Sequence, residues 1–209
     1  MGKYSVKKTN LLADKIRKKS TTVNKAASLT LNKTATLTVK RSTELITNDV
    51  NLQPTYVKKH LKVAGRASPA NLRVIIRANE RGTLLDRYPS FKTKDGIRVA
   101  INKGGGYREL PGAFRVSGLR GSLSSGIAVR NRDAVAFFTA SLAKTGRTPA
   151  KSRKLQRIIA KARTKPNGIE VLHSRSVNQL FLTVRDEVKP DVDQFMLEEF
   201  LTQMDRLKR

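Results

Sequence analysis

The chain has 209 residues, of which 43 are Lys or Arg and 16 are Asp or Glu, so its formal net charge at pH 7 is +27. Apolar residues make up 38% and aromatic residues 5%, which suffices for a modest, mainly aliphatic core. The absence of Cys excludes disulfides, Cys-ligated zinc, iron–sulfur clusters and a Cys nucleophile. A charge of this size repels itself unless nucleic acid, an acidic protein or an anionic membrane surface lies against it.

The charge changes sign near the end of the chain. The net charge is +11 over residues 1–65, +9 over 66–140 and +9 over 141–175, but −2 over 176–209. The same boundaries divide one predicted domain, residues 1–209, into a helical N-terminal part, a β-rich core, a basic helix with a strand, and C-terminal helices.

The N-terminal part has a helical pattern. Apolar residues recur at three-or-four spacing from Leu11 to Ile46, which predicts one long helix. The predicted apolar stripe consists of Leu12, Ile16, Val23, Ala27, Leu31, Ala35 and Leu45. Thr is a poor helix former, so this Thr-rich helix needs packing partners to hold it. Pro54 suits a first helical position and predicts a short helix to Val63 that stops at Gly65.

The middle of the chain is predicted to be β. Residues 72–78 and 97–101 alternate between apolar and basic residues, as strands do. Residues 113–116 and 127–130 flank a Gly/Ser connection, which predicts an antiparallel hairpin. Residues 134–142 fit a strand and a helix equally well.

The remaining elements complete an α+β fold. Residues 151–165 predict a basic amphipathic helix whose apolar face is Leu155, Ile158, Ile159 and Ala162, and residues 169–172 a short strand. Two helices follow, at 177–188 and 190–207. The stripe predicted on the last helix consists of Val192, Met196, Phe200, Met204 and Leu207. The predicted fold therefore has a long N-terminal helix and C-terminal helices packed on a small antiparallel β-sheet.

Motifs of catalysis are missing from the sequence. There is no Walker A, G-x-G-x-x-G or G-x-S-x-G pattern, and neither His60 nor His173 has acidic or His neighbours at metal-ligand spacing. Glu198 and Glu199 fit a helix surface. We therefore predict no enzymatic activity, no cofactor and no metal site. The longest mostly apolar run, 134–143, is about half of what a spanning helix needs, so no membrane is expected as partner.

The basic residues carry more information. Six of those on the predicted basic helix are candidate contact residues: Lys151, Arg153, Lys154, Arg157, Lys161 and Arg163. Such a face neutralises phosphates without reading sequence; a solvated face, or one matched to an acidic neighbour, is the alternative. Residues 118–121 match the G-x-x-G clamp of KH modules, which lies between helices. Because strands are expected on both sides here, a hairpin loop is favoured.

The order of these parts resembles a known family. Ala26-Ala27 and Leu31-Asn32 lie on the long helix, Pro111-Gly112-Ala113-Phe114 precedes the hairpin, and Ser176-Val177-Asn178-Gln179 and Glu187-Val188-Lys189-Pro190 lie near the end. Over residues 10–209 this pattern is similar to the minor tail protein Z family of tailed bacteriophages, the tail completion proteins. One departure is Ser174-Arg175-Ser176, where the family pattern has Gly-Pro-Ser.

The resemblance implies a structural virion protein of a long-tailed phage. Such a protein completes the head-proximal end of the tail so that a filled head can join, and it has no catalytic residues to carry over. A homo-oligomeric ring is expected, a hexamer by analogy with a six-fold tail tube, next to tail terminator and tube proteins. Contact with phage DNA is a further expectation. The expected location is the neck of the virion, and the bacterial host cytoplasm during assembly. The alternative is a sequence-nonspecific nucleic-acid-binding protein, for instance a ribosome-associated one.

Overall fold

The computed structural model describes residues 6–118, 125–144 and 152–208, with the side chains of residues 6–17, 19, 141, 143 and 144 left out. In this part of the chain the helices are α1 (Val6–Asp49), α2 (Pro54–His60), α3 (Asn131–Lys144), α4 (Arg153–Thr164) and α5 (Val177–Lys208). The strands are β1 (Leu61–Gly65), β2 (Ile75–Ala78), β3 (Gly82–Leu84), β4 (Ser90–Lys92), β5 (Gly96–Val99), β6 (Arg108–Pro111), β7 (Phe114–Val116), β8 (Gly126–Arg130), β9 (Ile169–Val171) and β10 (His173–Ser176). The predicted α+β class, with long helices near both ends and small antiparallel sheets, is confirmed.

The chain divides into two compact units. Unit 1 comprises Met1–Ile46, Pro54–Glu80 and Val177–Arg209, and unit 2 comprises Thr47–Gln53 and Arg81–Ser176. The four parts predicted in chain order therefore map onto two units, because unit 1 combines segments from both ends of the chain. One domain over residues 1–209 stays a prediction.

In unit 1, the buried face of α1 consists largely of small and hydroxyl-bearing residues. The buried residues are Ala26, Ser28, Thr30, Thr34, Ala35, Ser42, Thr43 and Ile46. Several hydroxyls of α1 bond the preceding turn; the Oγ1 of Thr43, for example, donates to the carbonyl of Val39 at 2.7 Å. Such bonds give the buried hydroxyls of Ser28 and Thr43 a partner, whereas those of Thr30, Thr34 and Ser42 have no hydrogen-bond partner among the described residues.

The apolar stripe predicted for α1 is confirmed only in part of its described positions. Ala35 is buried and Ala27, Leu31 and Leu45 are half-buried, but Val23 is exposed. Leu12 and Ile16 lie outside the described side chains. An apolar/polar pattern misses this face because Ser and Thr, which read as polar, occupy the buried positions.

The end of α2 and the start of β2, both in unit 1, also differ from prediction. α2 begins at Pro54 but ends at His60, three residues before the predicted end, since Leu61 and Val63 pair with β2 instead. β2 begins at Ile75, later than predicted. Its antiparallel register places Leu61 opposite Ala78 and Val63 opposite Ile76. Apolar residues alternate over 61–65, which is a strand pattern. It follows directly on the helical pattern of α2, and the predicted helix therefore extends too far.

Two contacts join distant segments of unit 1. The Asn32 side chain donates to the Ala67 carbonyl and accepts from the Ala67 amide, both at 2.9 Å, so α1 holds the loop after β1. Lys33 of α1 donates to the carboxylate of Glu199 on α5 at 2.6 Å. The second of these contacts links α5 to α1.

Unit 2 is built from short antiparallel sheets. Their strand orders are β4-β5-β6, β7-β8-β9 and β3-β10. In β8 all residues except Arg130 are buried, as a strand between two neighbours requires. The predicted pairing of residues 113–116 with 127–130 is confirmed, since β7 and β8 are antiparallel.

The Pro111-Gly112-Ala113-Phe114 segment forms the corner between two sheets. β6 ends at Pro111, Gly112 has φ of +68°, and β7 begins at Phe114. Only glycine adopts this left-handed conformation without strain. Ala113 is buried under the corner. The motif thus turns the chain from one sheet into the next.

One C-terminal prediction needs correction. Residues 177–188 and 190–207 form one helix, α5, with Pro190 in its interior, and not two helices. The predicted stripe on its second half is confirmed in four of its five residues as the less exposed side, because Val192, Phe200, Met204 and Leu207 are half-buried and Met196 is exposed. Residues 173–176, for which no element was predicted, form β10. No helix in the described ranges is both long and apolar enough to cross a bilayer.

Candidate functional site

The predicted basic helix is present as α4, and its ends are set by local chemistry. The Ser152 hydroxyl accepts from the amide of Leu155 at 3.3 Å, which caps the first turn. Leu155 and Ile158 are buried, and Ile159 and Ala162 are half-buried, so the predicted apolar face is confirmed. The face opposite to it is therefore available for contacts outside unit 2.

Three of the predicted contact residues lie on the outer side of α4. Arg153 and Arg157, four residues apart, project from the same exposed face, and Arg163 is exposed nearer the C-terminal end. Among the described residues, none of these three arginines has an ion-pair partner. Lys151 lies outside the described residues. Three guanidinium groups without acidic partners can contact phosphate or carboxylate groups of another molecule.

The other two predicted contact residues face unit 2 itself. Lys161 forms a 2.6 Å ion pair with Glu170 of β9, and Lys154 lies 4.2 Å from the ring centroid of Phe138 on α3. Burial lowers the pKa of Lys154, while the Glu170 charge opposes that shift. Of the six predicted residues, the structure therefore brings three to the outer face and directs two toward the helix's own unit.

The charges in the first turn of α4 do not serve helix stability, whereas Lys161 and Arg163 in the last turn suit the helix dipole. Arg153 and Lys154 lie in its first turn, which holds no acidic residue. Cations there oppose the helix dipole, at a cost of about 0.3–1 kcal/mol each at an exposed site. An anion bound near Arg153 and Arg157 would remove this cost.

Sequence reasoning missed a cleft of about 910 Å³ in unit 2. It lies between α3, the start of α4, β6 and the Leu172-His173 step from β9 to β10. Its apolar lining includes Leu85, Leu110, Phe137, Phe138, Leu155 and Leu172. The adjacent Phe137 and Phe138 lie in residues 134–142, a segment that fits both a strand and a helix. They were a weak sequence signal for the cleft. The remaining walls come from segments far apart in sequence, which no local pattern could bring together.

His173 faces this cleft together with Lys154. Its Nδ1 lies 3.0 Å from the Val171 carbonyl oxygen. Burial lowers the pKa of His173, the hydrogen bond to Val171 opposes that shift, and the Lys154 charge adds to it. The lowered pKa favours the neutral imidazole.

The remaining candidates are dispersed. Among the described residues no cluster of three or more His, Asp or Glu side chains has a geometry that could hold a metal ion. His60 ends α2 and its Nδ1 lies 2.8 Å from the Tyr56 carbonyl oxygen. Glu198 accepts from Gln194 at the exposed surface, whereas Glu199 pairs with Lys33. Gly118, with φ of +70°, follows β7, and residues 119–121 of the G-x-x-G lie outside the described part.

Comparison with protein-family models, curated proteins and solved structures gives no match to this chain.

Proposed function

We propose that this chain is a structural protein of a long-tailed phage virion that completes the head-proximal end of the tail. It would form a homo-oligomeric ring beside the tail terminator and tube proteins and present the outer face of α4 to the DNA end or to an acidic neighbouring ring. No catalysis and no cofactor belong to this role. The family resemblance of the sequence supplies the location in the virion.

The observation that carries the proposal is the unpaired arginine face of α4. Arg153, Arg157 and Arg163 lie on a capped helix that buries Leu155 and Ile158, so the backbone that carries them is in place before any partner arrives. A cationic face on a preformed helix suits a subunit that meets a fixed anionic surface in an assembly. With a chain charge of +27, each copy in a ring repels its neighbours unless such an anionic surface lies close.

The rival is a sequence-nonspecific nucleic-acid-binding protein that works with ribosomes. The same arginine face would then contact RNA phosphates. It predicts tight binding to free RNA that weakens steeply with salt, and co-sedimentation with ribosomes. A tail protein is expected in purified particles instead.

Mass spectrometry of density-purified virions of the phage that encodes this chain tests the proposal directly. We expect the chain in the particle, and deletion of its gene should leave filled heads and unjoined tails in electron micrographs. Absence from virions, together with co-sedimentation with ribosomes, would refute the tail role and support the rival.

Charge reversal tests the part assigned to α4. Arg153→Glu with Arg157→Glu should reduce the yield of infectious particles at least about tenfold, since each lost charge-assisted contact is worth about 1.5–3 kcal/mol. Lys92→Glu with Lys94→Glu makes the same change in net charge and serves as control, because Lys92 is the exposed last residue of β4 and Lys94 is exposed on the connection to β5 of the same unit. Equal particle yields from the two variants would exclude the α4 face.

A further inference from the structure

The second half of α5 is not a core helix. Within α5, whose residues 177–208 the structure describes in full, Gln203 is the only buried residue after Val188. Leu197 and Leu201 are 64% and 57% exposed, and Met196 is 38% exposed. Leu197 and Leu201 are four residues apart, so both lie on the same face. Two neighbouring leucines left in solvent on one helix face indicate a surface that another molecule covers.

This apolar face lies in the one acidic stretch of a basic chain. Residues 190–205 contain five acidic and no basic residues. Asp193, Glu199 and Asp205 are engaged by Lys189, Lys33 and Lys208, whereas Asp191 and Glu198 are exposed carboxylates without an ion-pair partner among the described residues. The partner of this face must therefore be apolar and, at its edge, cationic.

The cleft of unit 2 has the complementary chemistry. Its floor is apolar, and Lys154, His173 and Arg108 supply nitrogen donors or cations at its wall. Its two acidic residues are both engaged, Glu109 by Arg98 at 3.1 Å and Asp133 by Arg132 at 3.6 Å. A volume of about 910 Å³ lies in the range of pockets that hold sizeable ligands, so two leucine side chains can enter.

We propose that Leu197 and Leu201 of one copy insert into the unit 2 cleft of a second copy, with Glu198 set against Lys154. In this mode of recognition an apolar groove binds an amphipathic helix, and the two side chains that enter the groove are four residues apart. The two surfaces differ, so the contact is head to tail: it leaves one free cleft and one free helix face on every pair. Repetition of the contact produces a closed ring or an open filament. The inference deepens the proposed function, because it names the contact that would build the ring.

The absence of Cys makes a crosslinking test clean. A Leu197→Cys protein and an Ala140→Cys protein are mixed and oxidised, and the covalent dimer is separated without reductant. Ala140 is exposed and lines the cleft. We expect a mixed disulfide dimer that neither protein forms alone. Leu182→Cys mixed with Ala140→Cys is the control, because Leu182 is 50% exposed on α5 outside the acidic stretch. Equal yields from both mixtures would overturn the proposal.

Association of the full-length chain gives a second readout that does not depend on crosslinking. Leu201→Asp should weaken self-association in analytical ultracentrifugation at least about tenfold, since a charge placed in an apolar interface loses more than 1.4 kcal/mol. Leu182→Asp should leave association unchanged. An unchanged association constant for Leu201→Asp, with native helicity by circular dichroism, would also overturn the proposal.

The inference and the proposed function fail separately. If the chain is found in virions and the Leu201→Asp variant still assembles, the tail role stands and the proposed contact is excluded. If the chain forms the mixed disulfide but is absent from virions, the contact stands and the tail role is excluded.

Discussion

α4 and the second half of α5 are both amphipathic helices, but they use their apolar residues in opposite ways. α4 has five basic and no acidic residues, and it buries Leu155 and Ile158 in its own unit. Residues 190–205 have five acidic and no basic residues, and they leave Leu197 and Leu201 in solvent. In α4 the charged face is therefore available for a partner, and in α5 the apolar face is available as well. The burial of the apolar residues, more than the sequence pattern, distinguishes a helix that packs in the core from one that leaves apolar residues in solvent.

Truncation of one leucine in each helix is the sharpest test of this difference, with the largest expected effect. Leu155→Ala should lower the free energy of unfolding by about 2–5 kcal/mol, because it leaves a cavity under α4. Leu197→Ala should change it by less than about 0.5 kcal/mol, since no packing inside the same copy is lost. Urea denaturation at concentrations below self-association measures both. Similar losses from the two variants would mean that α5 packs like α4.

Replacement of Pro190 tests whether α5 is one helix. Pro in a helix interior removes one backbone hydrogen bond and is about 3 kcal/mol less favourable than Ala, while it also restricts the unfolded chain. Pro190→Ala should therefore stabilise the protein by about 1–3 kcal/mol in urea denaturation. Pro54→Ala is the matched control, because Pro54 opens α2, where Pro is favoured. If Pro190 began a separate helix, the two variants would behave alike.

The same comparison explains how far the sequence predicted the structure. α4, with a sharp stripe at Leu155, Ile158, Ile159 and Ala162, was predicted to within two residues at its start and one at its end. A helix break at Pro190 is predicted because Pro is unfavourable in a helix interior. In α5 the helix continues on both sides of Pro190, so this local rule does not hold there. Tertiary contacts of α5 within unit 1, such as that of Glu199 with Lys33, are absent from any local pattern.

The candidate site divides in the same way. Arg153 and Arg157 could be named from the sequence because helical periodicity alone places them opposite the apolar face, and Arg163, four residues after Ile159, lies beside that face. That Lys154 turns toward Phe138 and Lys161 toward Glu170 depends on how α4 packs on α3 and β9. The cleft joins residues from 85 to 173, so only the folded chain reveals it.

The smallest expected effect concerns Glu199, the residue through which α5 pairs with α1. The hydrogen bond from Lys33 lowers the pKa of Glu199, and a bond from Gln203 adds to that shift against the opposing effect of burial. A carboxyl whose pKa is lower in the folded state stabilises the fold above its unfolded-state pKa, and this stabilisation is lost as pH falls through the folded-state pKa. Glu199→Gln should therefore cost up to about 1 kcal/mol at neutral pH, because Lys33 is largely exposed, and nothing in strong acid.

Denaturation of the native chain and of Glu199→Gln across the acidic range measures this difference. Glu198→Gln is the control, because Glu198 is exposed on the outer side of the same helix and pairs with no lysine. Its unfolding free energy should follow that of the native chain at every pH. A constant gap between Glu199→Gln and the native chain from neutral pH into strong acid would mean that packing, and not the ion pair with Lys33, is what Glu199 contributes.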